Sequence, residues 1–135
     1  MKLHHVELWL PDLASARPRW EWLFGELGWA LHQSWPGGVS WRGADGAYVV
    51  LEESPDLRRE VAYDRTRAGL NHLAVAVPGR SAVDRIAAAG PTHGWSLMFA
   101  DRHPHAGGPD TYAAYLEDAD GFELEIVATD RAAAG

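Results

Sequence analysis

Residues 3–10 alternate in polarity. Val6, Leu8 and Leu10 fall on one face and His5, Glu7 and Trp9 on the other, the period-two pattern of a half-buried strand. The period then changes. Trp20, Leu23, Phe24 and Leu27 are spaced i, i+3, i+4 and i+7, which predicts a helix with one apolar stripe. Asp12 or Ser15 can cap this helix, Pro18 falls in or near its first turn, and Gly28 stands where a left-handed C-cap belongs. Three strands are predicted near 29–35, 38–43 and 47–53, with turns at Pro36-Gly37-Gly38 and Ala44-Asp45-Gly46. The charged stretch 54–68 reads as a crossover. The same order then recurs: a strand at 70–77, a helix at 82–89, and strands near 95–100, 111–117 and 122–128. Ser81 is the expected cap of the second helix, with Asp84 reaching back to it, and Gly90-Pro91 its stop. In the last strand Phe122, Leu124 and Ile126 form the core face, and Glu123, Glu125 and Val127 face away. Residues 129–135 are expected to fray.

The recurrence extends to particular residues. His5-Val-Glu-Leu-Trp-Leu-Pro11 lines up with His72-Leu-Ala-Val-Ala-Val-Pro78, Gly28-Trp29 with Gly94-Trp95, and Ala44-Asp45-Gly46 with Ala119-Asp120-Gly121. The three matches keep their order at offsets of 66 to 75 residues, so the chain reads as one unit written twice. The expected fold is α+β: two βαβββ modules, about 1–63 and 69–128, forming a half-open, barrel-like cleft within a single domain spanning 1–135.

Composition narrows the function. With 135 residues the chain can bury roughly two thirds of its unfolded surface, so it needs neither disulfides nor a structural metal to fold. Twelve basic residues against 19 acidic ones give a net charge of −7, with the bases scattered, which argues against nucleic acid or an anionic membrane as partner. The absence of cysteine excludes thiolate nucleophiles and Cys-ligated zinc. No apolar run approaches the ~18 residues of a membrane span, and no signal peptide opens the chain, so a cytoplasmic location is the expectation.

His5 and His72 occupy the same place in the two copies, each opposite the aliphatic stripe of its strand. Around His72 that face continues with Ala74 and Ala76, which leave room rather than fill a core. Two histidines and a carboxylate from the last strand can therefore line one concave surface. That is the ligand set of a facial triad, which leaves positions open on a metal for substrate or water.

The phrases His-His-Val-Glu-Leu-Trp-Leu-Pro-Asp-Leu (4–13), Gly-Leu-Asn-His-Leu-Ala-Val-Ala-Val (69–77) and Glu-Asp-Ala-Asp-Gly-Phe-Glu-Leu-Glu (117–125) resemble the vicinal oxygen chelate superfamily. Its members include glyoxalase I, extradiol dioxygenases, fosfomycin-resistance enzymes and bleomycin-resistance proteins. The resemblance implies a divalent metal (iron, manganese, zinc or nickel) held by His5, His72 and Glu125, a small oxygen-bearing substrate bound to that metal, and a homodimer. Ala119 replaces the proline usual in the last motif, which touches the turn rather than the ligand. Aligning the two Asp-Gly turns places Val50 opposite Glu125. The fourth protein ligand of glyoxalase I is therefore missing unless a shifted strand brings in Glu52, and the resemblance leans toward three-ligand members.

The same resemblance marks Tyr115, ten residues before Glu125, as a candidate active-site phenol, and the loop histidines His103 and His105 as candidate proton carriers. Each has a plainer reading: Tyr115 as wall, and His103 and His105 as solvated residues of a Gly/Pro-rich loop. His4 reads as a packing or edge residue, and His32 and His93 as surface groups. Of the tryptophans, Trp9 shares the His5 face and is the candidate for stacking on a substrate. Arg42 suits either an anionic substrate or a surface ion pair. The expected function is that of a metal-dependent dioxygenase, lyase or isomerase. Its rival is a sequestering protein of the bleomycin-resistance type, which the retained histidines and glutamate disfavour.

Overall fold

The computed structural model describes residues 1–129, which divide into two compact units, Met1–Ala62 and a second beginning at Tyr63. The first unit runs β1 (His5–Trp9), α1 (Leu13–Glu26), β2 (Ala30–Trp35), β3 (Gly38–Arg42) and β4 (Tyr48–Glu52). Its open four-stranded sheet has the order β1-β4-β3-β2, with β1 parallel to β4 and the other neighbours antiparallel. The second unit repeats this with β5 (Leu73–Val77), α2 (Arg80–Ala89), β6 (Ser96–Met98), β7 (Ala113–Glu117) and β8 (Glu123–Ala128) in the order β5-β8-β7-β6. The predicted βαβββ order thus holds in both halves. Parallel pairing of first and last strands requires a crossover, and α1 and α2 supply it.

The ends of α1 show why this segment is helical. The Asp12 carboxylate accepts the Ser15 backbone N–H at 3.0 Å, and this bond, first among its surroundings, holds the carboxyl below its ordinary pKa. At the other end Gly28 has φ +71°. Its N–H reaches the Gly25 carbonyl at 3.1 Å, and the Trp29 N–H reaches that of Phe24 at 2.9 Å. These are the two bonds of a Schellman cap, and the Trp29 and Phe24 rings add its apolar contact, with centroids 5.2 Å apart. Pro18 lies deeper than its expected place. With Asp12 as cap it is inside the helix, past the first turn, so the helix forgoes one interior hydrogen bond.

The second helix starts differently from its expected cap. Gly79 is the N-cap without a side-chain bond, so Ser81 lies inside the helix, and Asp84 instead accepts the Tyr112 hydroxyl at 2.6 Å. Helix α2 ends at Ala89, as Gly90-Pro91 suggests, but the chain continues as a 3-10 turn, Gly90–His93, and reverses at Gly94 with φ +86°. On β8, Phe122, just before the strand, and Leu124 and Ile126 on it are buried as expected. Glu123 is buried too, because Arg65 from the crossover comes within 2.9 Å of its carboxylate. Thr129 is held by Val77, whose carbonyl accepts both its N–H and its hydroxyl at 3.0 Å, so the expected fraying does not begin there; 130–135 lie outside the described residues.

The core of the first unit centres on Phe24, fully buried, with ring centroids 4.9 Å from Trp41, 5.2 Å from Trp29 and 5.9 Å from Trp20. Emptying that position removes the shared partner of three indoles. Phe24→Ala should destabilise the protein by about 3–5 kcal/mol, whereas Val61→Ala at an exposed site should fall within about 0.5 kcal/mol. Urea unfolding followed by tryptophan fluorescence measures both.

Candidate metal centre

His72 precedes β5 by one residue, and its ring is fixed from the position before it. The Asn71 side-chain oxygen accepts the Nδ1–H of His72 at 2.8 Å, which leaves Nε2 to face Glu125, where it stands 3.3 Å from Oε2. The first unit repeats the device with a different residue. Nδ1 of His4 lies 2.8 Å from Nδ1 of His5, so Nε2 of His5 is the nitrogen left over. The His5 ring also stacks on Tyr48, centroids 4.8 Å apart and 10° from parallel. His4 packs edge-on against Tyr48, centroids 5.3 Å apart, and is also a hydrogen-bonding partner of His5.

Strand register fixes the rest. Glu125 pairs with Ala74 on β5 and with Tyr115 on β7. In the first unit Val50 pairs with Glu7 on β1 and with Ser40 on β3. Val50 is thus the counterpart of Glu125, and Ser40 that of Tyr115, as alignment of the turns implied. Glu52 lies two residues beyond, opposite Trp9 and Gly38, and its strand is not shifted. The first unit's ladder is irregular elsewhere, between Leu31 and Gln33. Trp9 is exposed on the His5 side of β1, with its indole N–H donating to Glu7 at 2.8 Å.

Tyr115 joins His72 and Glu125. Its hydroxyl is close enough to the Glu125 carboxylate to feel it, and its ring meets His72 edge-on at 6.1 Å. Burial foremost, then the neighbouring Glu125 carboxylate, pushes the phenol up to about 12, so it is a neutral hydrogen-bond donor at ordinary pH. Two residues invisible to sequence reasoning support it. Phe99 packs edge-on against the ring at 5.5 Å and has φ +53°, a conformation uncommon outside glycine. Gly107 lets the 102–110 loop pass over the hydroxyl, since a Cβ there would come within 2.6 Å of the oxygen. Asn71 was visible in the sequence as the residue before His72, but only the structure gives it a role.

The loop histidines stand apart from this group. Nδ1 of His105 donates to the Thr111 carbonyl at 2.9 Å, and the ring meets Tyr112 edge-on at 5.7 Å. His103 is half-buried, its backbone N–H bonded to Phe99. Among the described residues neither ring is bonded or stacked to His72, Glu125 or Tyr115. His93 is exposed. The described residues contain no assembled group of three or more metal-ligating side chains, and what they bring together is the His72–Glu125 pair. That pair fits a shared cation: ligands about 2.0–2.2 Å from one ion, at angles of about 90–110°, stand roughly 3 Å apart. Imidazole and carboxylate are also the donors that divalent ions of the first transition row accept.

The family model of the Glyoxalase/Bleomycin resistance protein/Dioxygenase superfamily matches residues 4–115. The chain belongs to that superfamily. The match takes in His5, His72 and Tyr115 and stops ten residues short of Glu125. An uncharacterised Bacillus subtilis protein, YqjT, is 38% identical over 126 residues, covering 93% of this chain and 98% of its own. A Bacillus halodurans protein, solved as a candidate glyoxalase, is 39% identical, with a TM-score of 0.87 over 93% of this chain and 94% of its own. A lactoylglutathione lyase from Agrobacterium tumefaciens shares the superfamily fold at 14% identity, with a TM-score of 0.62 over 95% of this chain and 93% of its own.

The raised phenol has a measurable consequence. In chelator-treated protein the last tyrosine to ionise, near pH 12, should be Tyr115, and Tyr115→Phe should remove that step from the absorbance titration at the phenolate band. Because the folded state holds its proton above the unfolded value of about 10, this residue's contribution is complete below pH 10 and is lost as pH rises toward 12.

Proposed function

We propose that the protein is a metal-dependent enzyme of the glyoxalase/dioxygenase type that acts on a compact oxygen-bearing molecule. In this reading a divalent ion is held by His72 and Glu125, with His5 as third ligand. One observation carries it: Nε2 of His72 and a Glu125 oxygen lie 3.3 Å apart, with the other ring nitrogen engaged by Asn71. His5 enters through the repeat, since it stands at the matching strand position and keeps the same nitrogen free. A hydrogen bond to Nδ1 is the usual partner of an Nε2 ligand, because it fixes both tautomer and ring orientation. Val50 stands where the first unit would supply the counterpart of Glu125, and Glu7 accepts the Trp9 indole N–H, so the reading has three protein ligands and open coordination sites.

When bound, such an ion would act as a Lewis acid toward substrate oxygens. The chain's own residues do the rest. Tyr115, a neutral phenol beside Glu125, has one O–H to give: it either steadies that carboxylate or turns to a substrate oxygen that takes its place as acceptor. Phe99 packs on the Tyr115 ring, and Gly107 leaves the hydroxyl the room it needs. His105, with Nδ1–H committed to Thr111, presents Nε2 as a proton acceptor on the loop, and His103 lies beside it. Ala74 and Ala76 keep the face next to His72 open.

Elemental analysis and metal titration of untagged protein test the reading. One divalent ion per chain is expected. Alanine at His5, His72 or Glu125 should each weaken binding well beyond the ~10–100-fold typical of outer-sphere changes, and Asn71→Ala should fall within that range. Tyr115→Phe should keep the metal and lose turnover. A plain histidine–carboxylate ion pair would bind no ion in the wild type, and unchanged affinity in the triple-alanine variant would equally sink the proposal.

A further inference from the structure

The first unit contains a cavity of about 300 Å³ whose walls include Gly28, Ala30, His32, Arg42, Gly43 and Ala44. We propose that it binds the carboxylate of a small organic acid, with Arg42 as the recognising group. Arg42 was read from sequence as either an anion site or half of a surface ion pair, and His32 as a surface group. In the structure Arg42 is exposed and His32 half-buried, and the two are joined to each other. Nε2 of His32 accepts a hydrogen bond from Nη2 of Arg42 at 2.9 Å, and the guanidinium lies 5.3 Å from the centre of the Tyr48 ring. Among the described residues no carboxylate pairs with it. In a chain with 19 acidic residues against 12 basic ones, an arginine braced by two neutral rings is an un-neutralised charge held in a fixed place.

The ladder irregularity explains how the brace is built. Ala30 pairs with Arg42 and Leu31 with Trp41, but the next pair is Gln33 with Ser40. His32 is the extra residue of a bulge, a feature that re-aims a side chain. Its ring consequently lies beside Tyr48, centroids 5.1 Å apart, and within reach of Arg42. The guanidinium has five N–H donors, of which His32 engages one, and the planar fork that remains matches a carboxylate. Because the fork is already fixed, little side-chain entropy is lost when an anion arrives. The walls beside it are glycine, alanine and Leu31, which suit a short apolar body, and the volume is at the small end for ligand sites.

Every residue of this pocket belongs to the first unit and none is a proposed metal ligand, so the test runs in chelator and is independent of the metal reading. Benzoate is the probe, benzamide its uncharged isostere, and inorganic phosphate the rival anion. Amide NMR should show saturable benzoate shifts at Gly28 and Gly43, with benzamide and phosphate at least roughly tenfold weaker, the scale of a charged hydrogen bond. Arg42→Gln should cost benzoate a similar factor, and Arg42→Lys, which keeps the charge but not the fork, should fall between. His32→Ala should weaken binding by loosening the brace. The proposal is overturned by benzamide matching benzoate, by phosphate matching it, by unchanged affinity in Arg42→Gln, or by no saturable shift up to tens of millimolar benzoate.

Discussion

The parallel pairing of β5 with β8 is the constraint on which the chemistry of the second unit rests. It sets Ala74 against Glu125 and so brings the carboxylate to the side of the sheet where His72 lies. Side chains alternate strictly along a strand, so a slip of one residue would offer Leu124 or Ile126 to that face and turn Glu125 into the core. The slip is prevented from the opposite side. Val75, Val77, Leu124 and Ile126 are buried on the helix-covered face, and each would lose about 1.5–3 kcal/mol by turning outward. Aliphatic burial on one face thus positions polar groups on the other, without any of the polar groups having to contribute stability.

The same backbone in the first unit carries different cargo. β1 pairs with β4 in the register that β5 and β8 use, yet the slots of Glu125 and Tyr115 hold Val50 and Ser40. Tyr48, two residues before Val50, gathers the polar groups instead: His5 stacks on it, His4 and His32 approach it, and Arg42 lies over it. Position in the ladder decides which side chains can meet. The side chains then decide whether the result is a carboxylate with a histidine and a phenol, or an arginine among aromatic rings.

Much of this was legible in the sequence because it depends on local pattern. Period-two and helical spacing gave the strand and helix order, Asp12 and Gly28 gave the ends of α1, and the repeat gave the equivalence of Val50 and Glu125 that the ladders keep. The failures share a cause. Ser81 and Asp84 looked like a capping box, but Tyr112, 28 residues away, takes Asp84. Glu123 alternates as an outward residue, but Arg65 from the crossover follows it into the interior. The pairing of His32 with Arg42 carried no signal either, because neither periodicity nor spacing announces the bulge that brings them together. Phe99 carries no sequence signal for its left-handed backbone, since nothing local favours it; its ring packing on Tyr115 accompanies it.

What the histidines gain from their neighbours is the last step. An imidazole offers two nitrogens, and a ligand is well defined only when one is committed elsewhere. In this chain the commitment is made by the preceding residue in both copies, by Asn71 through an amide oxygen and by His4 through a ring nitrogen. An amide oxygen only accepts, so it forces the proton onto Nδ1 of His72. A ring nitrogen can accept or donate, so the His4–His5 pair satisfies its hydrogen bond with the proton on either partner. The second unit therefore fixes the tautomer of its histidine, while the first fixes only which nitrogen is engaged. The stricter of the two arrangements is the one that faces Glu125.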